Sequence, residues 1–120
     1  MKSNPEMSVG FDIDDTLLMA DNSEPHDVSF ADPHDPGKII TGRIHKRHIK
    51  LLKDYKARGF YIVIWSGNGK KYADAVVKAL KIKKYVDHTM AKFSKFVDDL
   101  PAEKILVNRV YLNEKGSLET

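Results

Sequence analysis

Three features of the sequence predict an α/β fold with a mainly parallel sheet. Apolar, β-branched runs recur at Met7–Ile13, Phe60–Trp65 and Ile105–Leu112. Segments of helical period lie between them, over 43–58 and 70–81. A chain of 120 residues with that alternation suits one domain whose strands are joined by crossover helices.

Each element has a local reason. Met7, Val9, Phe11 and Ile13 alternate as a strand does, and residues 1–6 read as a loose lead-in. Residues 19–42 hold Pro25, Pro33, Pro36, Gly37 and Gly42 among Asp, Asn, Ser and His, which is loop or hairpin chemistry. Within them, "HDVSF" is a short strand candidate. A helix over 43–58 puts Ile44, His48, Leu51, Leu52 and Tyr55 on one face, with Thr41 near its start and Gly59 as its stop. "FYIVIW" is continuous and aromatic, as a strand buried on both faces would be. "SGNG" turns the chain into a second helix over 70–81, whose apolar side is Tyr72, Ala75, Val76, Ala79 and Leu80. "YVDHTM", "KFVDD" and "ILVNRVYL" are further strand candidates, and residues 113–120 form a tail expected to fray.

Composition narrows the class. At 42% hydrophobic and 31% charged, the chain can build one core and is too apolar for disorder. Its apolar runs are too short to cross a bilayer, and "MKSNPEMSVG" has no signal-peptide core, so a cytoplasmic protein is expected. The absence of cysteine excludes disulfides and thiolate metal sites. The net charge of +3 comes with lysines gathered in the second half. They form either a solvated helix face or a field that attracts an anionic substrate.

The chemistry lies at the strand ends. Asp12, Asp14 and Asp15 follow the first strand, Ser66, Gly67 and Asn68 the second, and Asp98 and Asp99 a late short one. In parallel sheets ligands bind beyond the carboxyl ends of strands, so these clusters are expected to converge. Oxygen-only donors from two acidic clusters suit a hard cation, most often magnesium. Ser66 with the amides of Gly67 and Asn68 makes a phosphate cradle, and Lys92 adds positive charge. Those parts meet the needs of phosphoryl transfer.

These residues resemble the haloacid dehalogenase-like (HAD) superfamily, mostly magnesium-dependent phosphohydrolases. The four family motifs read Phe11-Asp12-Ile13-Asp14-Asp15-Thr16, then "IVIWSG" with Ser66, then Lys92 in "TMAKF", then Val97-Asp98-Asp99. All four occur in order over residues 7–99. The resemblance implies a Rossmann-like three-layer fold in which Asp12 is the nucleophile, forming an aspartyl-phosphate, and Asp14 the general acid and base. It implies magnesium held by Asp12, the Asp14 backbone carbonyl and Asp98, with Asp99 supporting or replacing Asp98. Ser66 and the Gly67 amide would bind phosphoryl oxygens, Lys92 would bridge nucleophile and phosphate, and Thr16 would steady the first loop. Two features depart from the pattern. Phe93 stands where small capless members often carry proline, and the stretch before Asp98 is less apolar than usual. Lys95, Lys70 and Lys71 are alternative motif lysines. The stretch after Thr16 must also supply the helix over 43–58, which leaves room for a β-hairpin flap and not for a cap domain. Size and motif style are similar to hydrolases of bacteria and phages.

The resulting expectation is a capless phosphatase for a phosphate monoester, either a phosphorylated small molecule or a nucleotide or nucleic-acid end. Other readings fit less well. A signalling receiver domain needs an Asp where Ser66 stands. A dehalogenase needs neither Asp14 nor magnesium. A non-catalytic phosphate or nucleic-acid binder is opposed by the acidic motifs, since phosphates avoid uncompensated carboxylates. Other residues have plainer readings. Asp15 is a loop residue, Trp65 belongs to the core, and Asn68 caps the second helix or touches substrate. His48 packs and His45 is solvated, although their spacing could chelate a metal; His26 and His34 are surface loop residues near Asp27, Asp32 and Asp35.

Overall fold

A computed structural model describes residues 4–19, 26–101, 104, 111–112 and 118–119. Its main sheet is parallel, in the order β1 (Asn4–Phe11), β5 (Phe60–Ser66), β6 (His88–Ala91). The apolar runs explain the pairing: Val9 lies opposite Ile62, and Phe11 opposite Ile64. Helix α1 (Lys46–Ala57) and helix α2 (Lys70–Ala79) both pack on β5. The core is Phe11, Ile62, Ile64, Leu52, Val76 and their neighbours, all buried. Burying such side chains drives folding, at roughly 1.5–3 kcal/mol each. No helix of the described residues is long and apolar enough to cross a membrane.

A second, antiparallel sheet has the order β2 (Leu18–Met19), β4 (Asp35–Ile44), β3 (Val28–Asp32). Strands β3 and β4 form a hairpin, from Val28 opposite Gly42 to Asp32 opposite Asp35. Phe30 of β3 lies 6.3 Å from the Tyr72 ring, which seats the hairpin on α2. Gly42 lets β2 come close, because a Cβ there would lie 2.8 Å from Leu18 Cδ1 and 2.9 Å from the Met19 carbonyl oxygen. Lys56 and Asp87 staple α1 to the segment before β6 at 2.9 Å, and Asp87 also accepts the Ile62 amide.

Several boundaries differ from the sequence reading. The first strand ends at Phe11, not Ile13, because the amides of Thr16, Leu17 and Leu18 all donate to the Ile13 carbonyl and turn the chain there. Helix α1 starts at Lys46, since Arg43 and Ile44 pair with β2 and Thr41 lies in β4. Its N-cap is His45, whose ring accepts the His48 amide, so His45 is a cap and not simply solvated. Helix α2 ends at Ala79, and Lys81 just beyond it has φ +58. Strand β5 is fully buried on only one side: Ile62, Ile64 and Ser66 are buried, while Tyr61, Val63 and Trp65 are half-buried. Trp65 is accordingly a margin residue, not core.

The "KFVDD" segment is not a strand. Residues 92–101 run as irregular, exposed chain, and Val97 is 90% exposed. Only Phe96 and Val97 are apolar there, between Lys95 and Asp98, too few to hold a strand to a sheet. Of "ILVNRVYL", residues 105–110 lie outside the described residues. Its last two, β7 (Tyr111–Leu112), pair antiparallel with β8 (Leu118–Glu119), so part of the expected fraying tail is paired.

Candidate active site

The first acidic loop is built on alternation. Ile13 and Leu17 are fully buried, so the residues between and before them turn outward. Asp12 and Thr16 are half-buried, and Asp14 is exposed. The loop is closed from within by the shared Ile13 carbonyl and by Asp15 N–H donating to the Leu18 carbonyl. Asp15 sits at φ +64, a conformation that Asp tolerates better than most residues, and its part is to make the turn. The buried His48 donates from Nδ1 to the Thr16 carbonyl and stacks on His45 with ring centroids 3.5 Å apart. Burial holds its pKa below the ordinary histidine value, and the neighbouring His45 adds to this against the pull of the Thr16 carbonyl.

Asp12 is gripped on both oxygens. Lys92 Nζ lies 2.8 Å from Oδ1, and the Thr16 hydroxyl donates to Oδ2 at 3.2 Å. Lys92 reaches this place because its backbone amide donates to the Ser66 carbonyl at 2.9 Å, extending the β5–β6 pairing by one step. Its ammonium also lies 5.8 Å above the Trp65 ring. The alternative lysines go elsewhere: Lys70 binds Asp74 and Thr89, while Lys71 and Lys95 are exposed.

Asp14 is held just as fully. The Tyr72 hydroxyl donates to Oδ1 at 2.6 Å, and Asn68 Nδ2 donates to Oδ2 at 3.2 Å. Burial raises the Tyr72 pKa well above the ordinary tyrosine value, with the Asp14 hydrogen bond and charge adding to it, so the phenol stays a donor. Tyr72 is absent from the sequence-predicted site because its ring lies on the apolar side of α2, where it reads as core. Asn68 does not cap α2; the cap position is Gly69, which has no side chain to bond with.

Ser66 is buried at the end of β5, and its Oγ accepts the Asn68 amide at 3.0 Å. That leaves the hydroxyl proton available to an anion. A Cβ on Gly67 would meet nothing within 4 Å, so the backbone there faces open space. From the hairpin, His34 Nε2 donates to the Asn68 carbonyl at 2.7 Å. Sequence reasoning leaves His34 as a surface residue, whereas the fold ties it to the serine loop.

Two of the three expected clusters therefore come together. Asp98 and Asp99 lie on the exposed 92–101 segment, and among the described residues no three His, Cys, Asp or Glu side chains gather to hold a metal. Asp98 stays ionised more readily than an ordinary carboxyl, because its Oδ1 accepts the Leu100 amide at 2.9 Å and Asp99 also donates to it. Asp12 and Asp14 alone still present four carboxylate oxygens with lone pairs left beyond the bonds described. Magnesium is commonly bound through one or two carboxylates, with water and phosphate completing its shell, so this oxygen-only pair fits it.

A pocket of about 500 Å³ opens beside Asp14, walled by the hairpin on one side and by Asn68 and Tyr72 on the other.

A family model described as NLI interacting factor-like phosphatase matches residues 8–107. Comparisons with curated proteins and with solved structures give no match.

Proposed function

The chain belongs to the NLI interacting factor-like phosphatase family, within the HAD-like phosphatase superfamily, and from that premise we propose that it hydrolyses phosphate monoesters with magnesium through an aspartyl-phosphate on Asp12. The observation that carries this reading is the grip on Asp12 by Lys92 at 2.8 Å and Thr16 at 3.2 Å, beside the Ser66–Asn68 loop.

The residues divide the work as follows. The Ser66 hydroxyl and the Gly67 amide take phosphoryl oxygens, and Lys92 offsets their charge. Asp12 oxygen attacks phosphorus, the bond from phosphorus to the alcohol oxygen breaks, and Asp14 gives that oxygen its proton. Asp14 then takes a proton from water, whose oxygen attacks phosphorus, releasing phosphate and restoring the Asp12 carboxylate. Tyr72 and Asn68 hold the Asp14 carboxyl in one orientation throughout, which keeps both proton transfers in line. Magnesium would be held by the Asp12 carboxylate and the Asp14 backbone carbonyl, with Asp98 or Asp99 as a further donor, and would neutralise phosphoryl charge. The substrate is a phosphorylated small molecule, or a nucleotide or nucleic-acid end.

The test is hydrolysis of p-nitrophenyl phosphate with magnesium and then with EDTA, for wild type and Asp12→Asn. Turnover that needs magnesium and is lost in Asp12→Asn supports the mechanism. Turnover that survives Asp12→Asn removes Asp12 as nucleophile.

A further inference from the structure

A leaving alcohol protonated by Asp14 must lie against Asp14, and the pocket lined by Asp14 is the space available to it. The pocket's other walls come largely from the hairpin: Asp32, Lys38, Thr41 and the isoleucines Ile39 and Ile40. The hairpin is held at its tip, because His34 donates to the Asn68 carbonyl at 2.7 Å. The wall is thus set before a ligand arrives. Asp32 is half-buried, and its Oδ1 takes the His34 amide at 2.9 Å, which fixes the carboxylate while leaving acceptor capacity on both oxygens. Its charge reaches Tyr72 across the pocket and helps keep that phenol protonated.

This lining selects among chemical classes. A second phosphate or a carboxylate would face Asp32 and Asp14 with Lys38 alone to offset them, and like charges at close range repel. A purely apolar group would cover two carboxylates and give them no donor, which is costly. A group with adjacent hydroxyls satisfies every wall. Its O–H groups donate to Asp32, and its oxygens accept from Thr41 and Lys38. Its C–H face packs on Ile39 and Ile40, of which Ile39 is 59% exposed without a ligand. An acidic side chain accepting from a ribose hydroxyl is established chemistry in nucleotide-binding folds. The volume of about 500 Å³ lies in the small-molecule range.

We propose that the hairpin pocket binds a polyhydroxylated sugar as the alcohol part of the substrate, with Asp32 as the specificity-determining acceptor. The proposal rests on the phosphatase reading and makes the substrate a sugar phosphate or a nucleoside 5′-phosphate.

The experiment measures kcat/KM of the full chain with magnesium on ribose 5-phosphate, on AMP and on n-pentyl phosphate, which lacks the hydroxyls. Phenyl phosphate serves as the generic substrate. Wild type should prefer ribose 5-phosphate or AMP over n-pentyl phosphate by about tenfold or more, since unmet polar groups penalise the analogue. Asp32→Asn keeps the Oδ1 that accepts the His34 amide and should cut that preference about tenfold, the worth of one lost charged acceptor. Preference for AMP identifies a nucleoside, and preference for ribose 5-phosphate alone a free sugar; both support the pocket. Equal rates on all three, or a preference unchanged in Asp32→Asn, overturn it. If phenyl phosphate is not hydrolysed either, the phosphatase reading is what has failed. Calorimetry of ribose 5-phosphate against n-pentyl phosphate then decides the pocket, and equal or absent binding overturns it.

Discussion

Replacing Tyr72 with phenylalanine removes one atom and tests how Asp14 is held. The lost oxygen donates to Asp14 Oδ1 at 2.6 Å, in the range of a strong bond to a charged acceptor. Such bonds are worth roughly 1.5–3 kcal/mol. Asp14 is exposed and keeps Asn68 at 3.2 Å, so water can replace part of the loss and the lower end, about 1.5 kcal/mol, applies. The phenylalanine ring keeps its place against Phe30, 6.3 Å away, so no cavity opens. For a domain of this size the expected fall in Tm is about 6 °C, at about 4 °C per kcal/mol. The effect on rate is separate. A freed Asp14 carboxyl delivers its proton less often in line, and kcat should fall about tenfold, less than the 10²–10⁴-fold span of general acid catalysis that Asp14→Asn puts at stake. Thermal unfolding and steady-state hydrolysis of p-nitrophenyl phosphate read the two effects. A cycle of Tyr72→Phe, Asp14→Asn and the double variant should show coupling of about 1 kcal/mol, as contacting residues do. Strict additivity, or a Tyr72→Phe protein with wild-type Tm and kcat, would refute the view that Tyr72 positions Asp14.

Three further outcomes are expected. Lys92→Met should change stability by less than about 1 kcal/mol, since the pair with Asp12 is 40% and 36% exposed, yet lower kcat by about 100-fold; equal losses in both would make Lys92 merely structural. Gly42→Ala should cost about 1–3 kcal/mol in urea unfolding, because its Cβ would press on Leu18 and the Met19 carbonyl; an unchanged midpoint would mean that β2 yields freely. The burial of His48 depresses its pKa in the folded chain, so the unfolded chain takes the proton first: this share of stability is present above the ordinary histidine value and is lost as pH falls through the folded one. Unfolding measured at about pH 7.5 and about pH 5.5 should accordingly show a smaller acid loss in His48→Asn than in wild type, and an equal or larger loss contradicts the assignment.

What could be read from the sequence was what is local in it. Asp12, Asp14 and Thr16 sit within one loop whose apolar members, Ile13 and Leu17, go inward, so the exposed set follows from alternation. Ser66 ends the longest unbroken apolar run in the sequence, Phe60–Trp65. The contacts that were missed join residues far apart in the chain. Tyr72 lies 58 positions from Asp14, and its ring satisfies the helical apolar pattern so well that the hydroxyl goes unnoticed. His34 meets Asn68 across 34 positions, through a hairpin whose docking is set by Phe30 on Tyr72. In both cases a side chain with an apolar body or a loop address also has a polar end, and the pattern reports only the body.

The segment that carries Asp98 and Asp99 differs from its expected form. A rule about strand ends places Asp98 and Asp99 only if a strand precedes them, and residues 95–99 form none. Residues 96–99 offer two apolar side chains, and Val97 is 90% exposed. A motif reading is blind to this, because it asks only for order and residue type. The four oxygens of Asp12 and Asp14 are held by Thr16 of their own loop, Asn68 just after β5, Tyr72 of α2 and Lys92 just after β6. The physical consequence is that the charge knot behind β1 is already offset by one ammonium, two hydroxyls and one amide. That is why a loop with three acidic residues can close over a fully buried Ile13 and Leu17 before any cation binds.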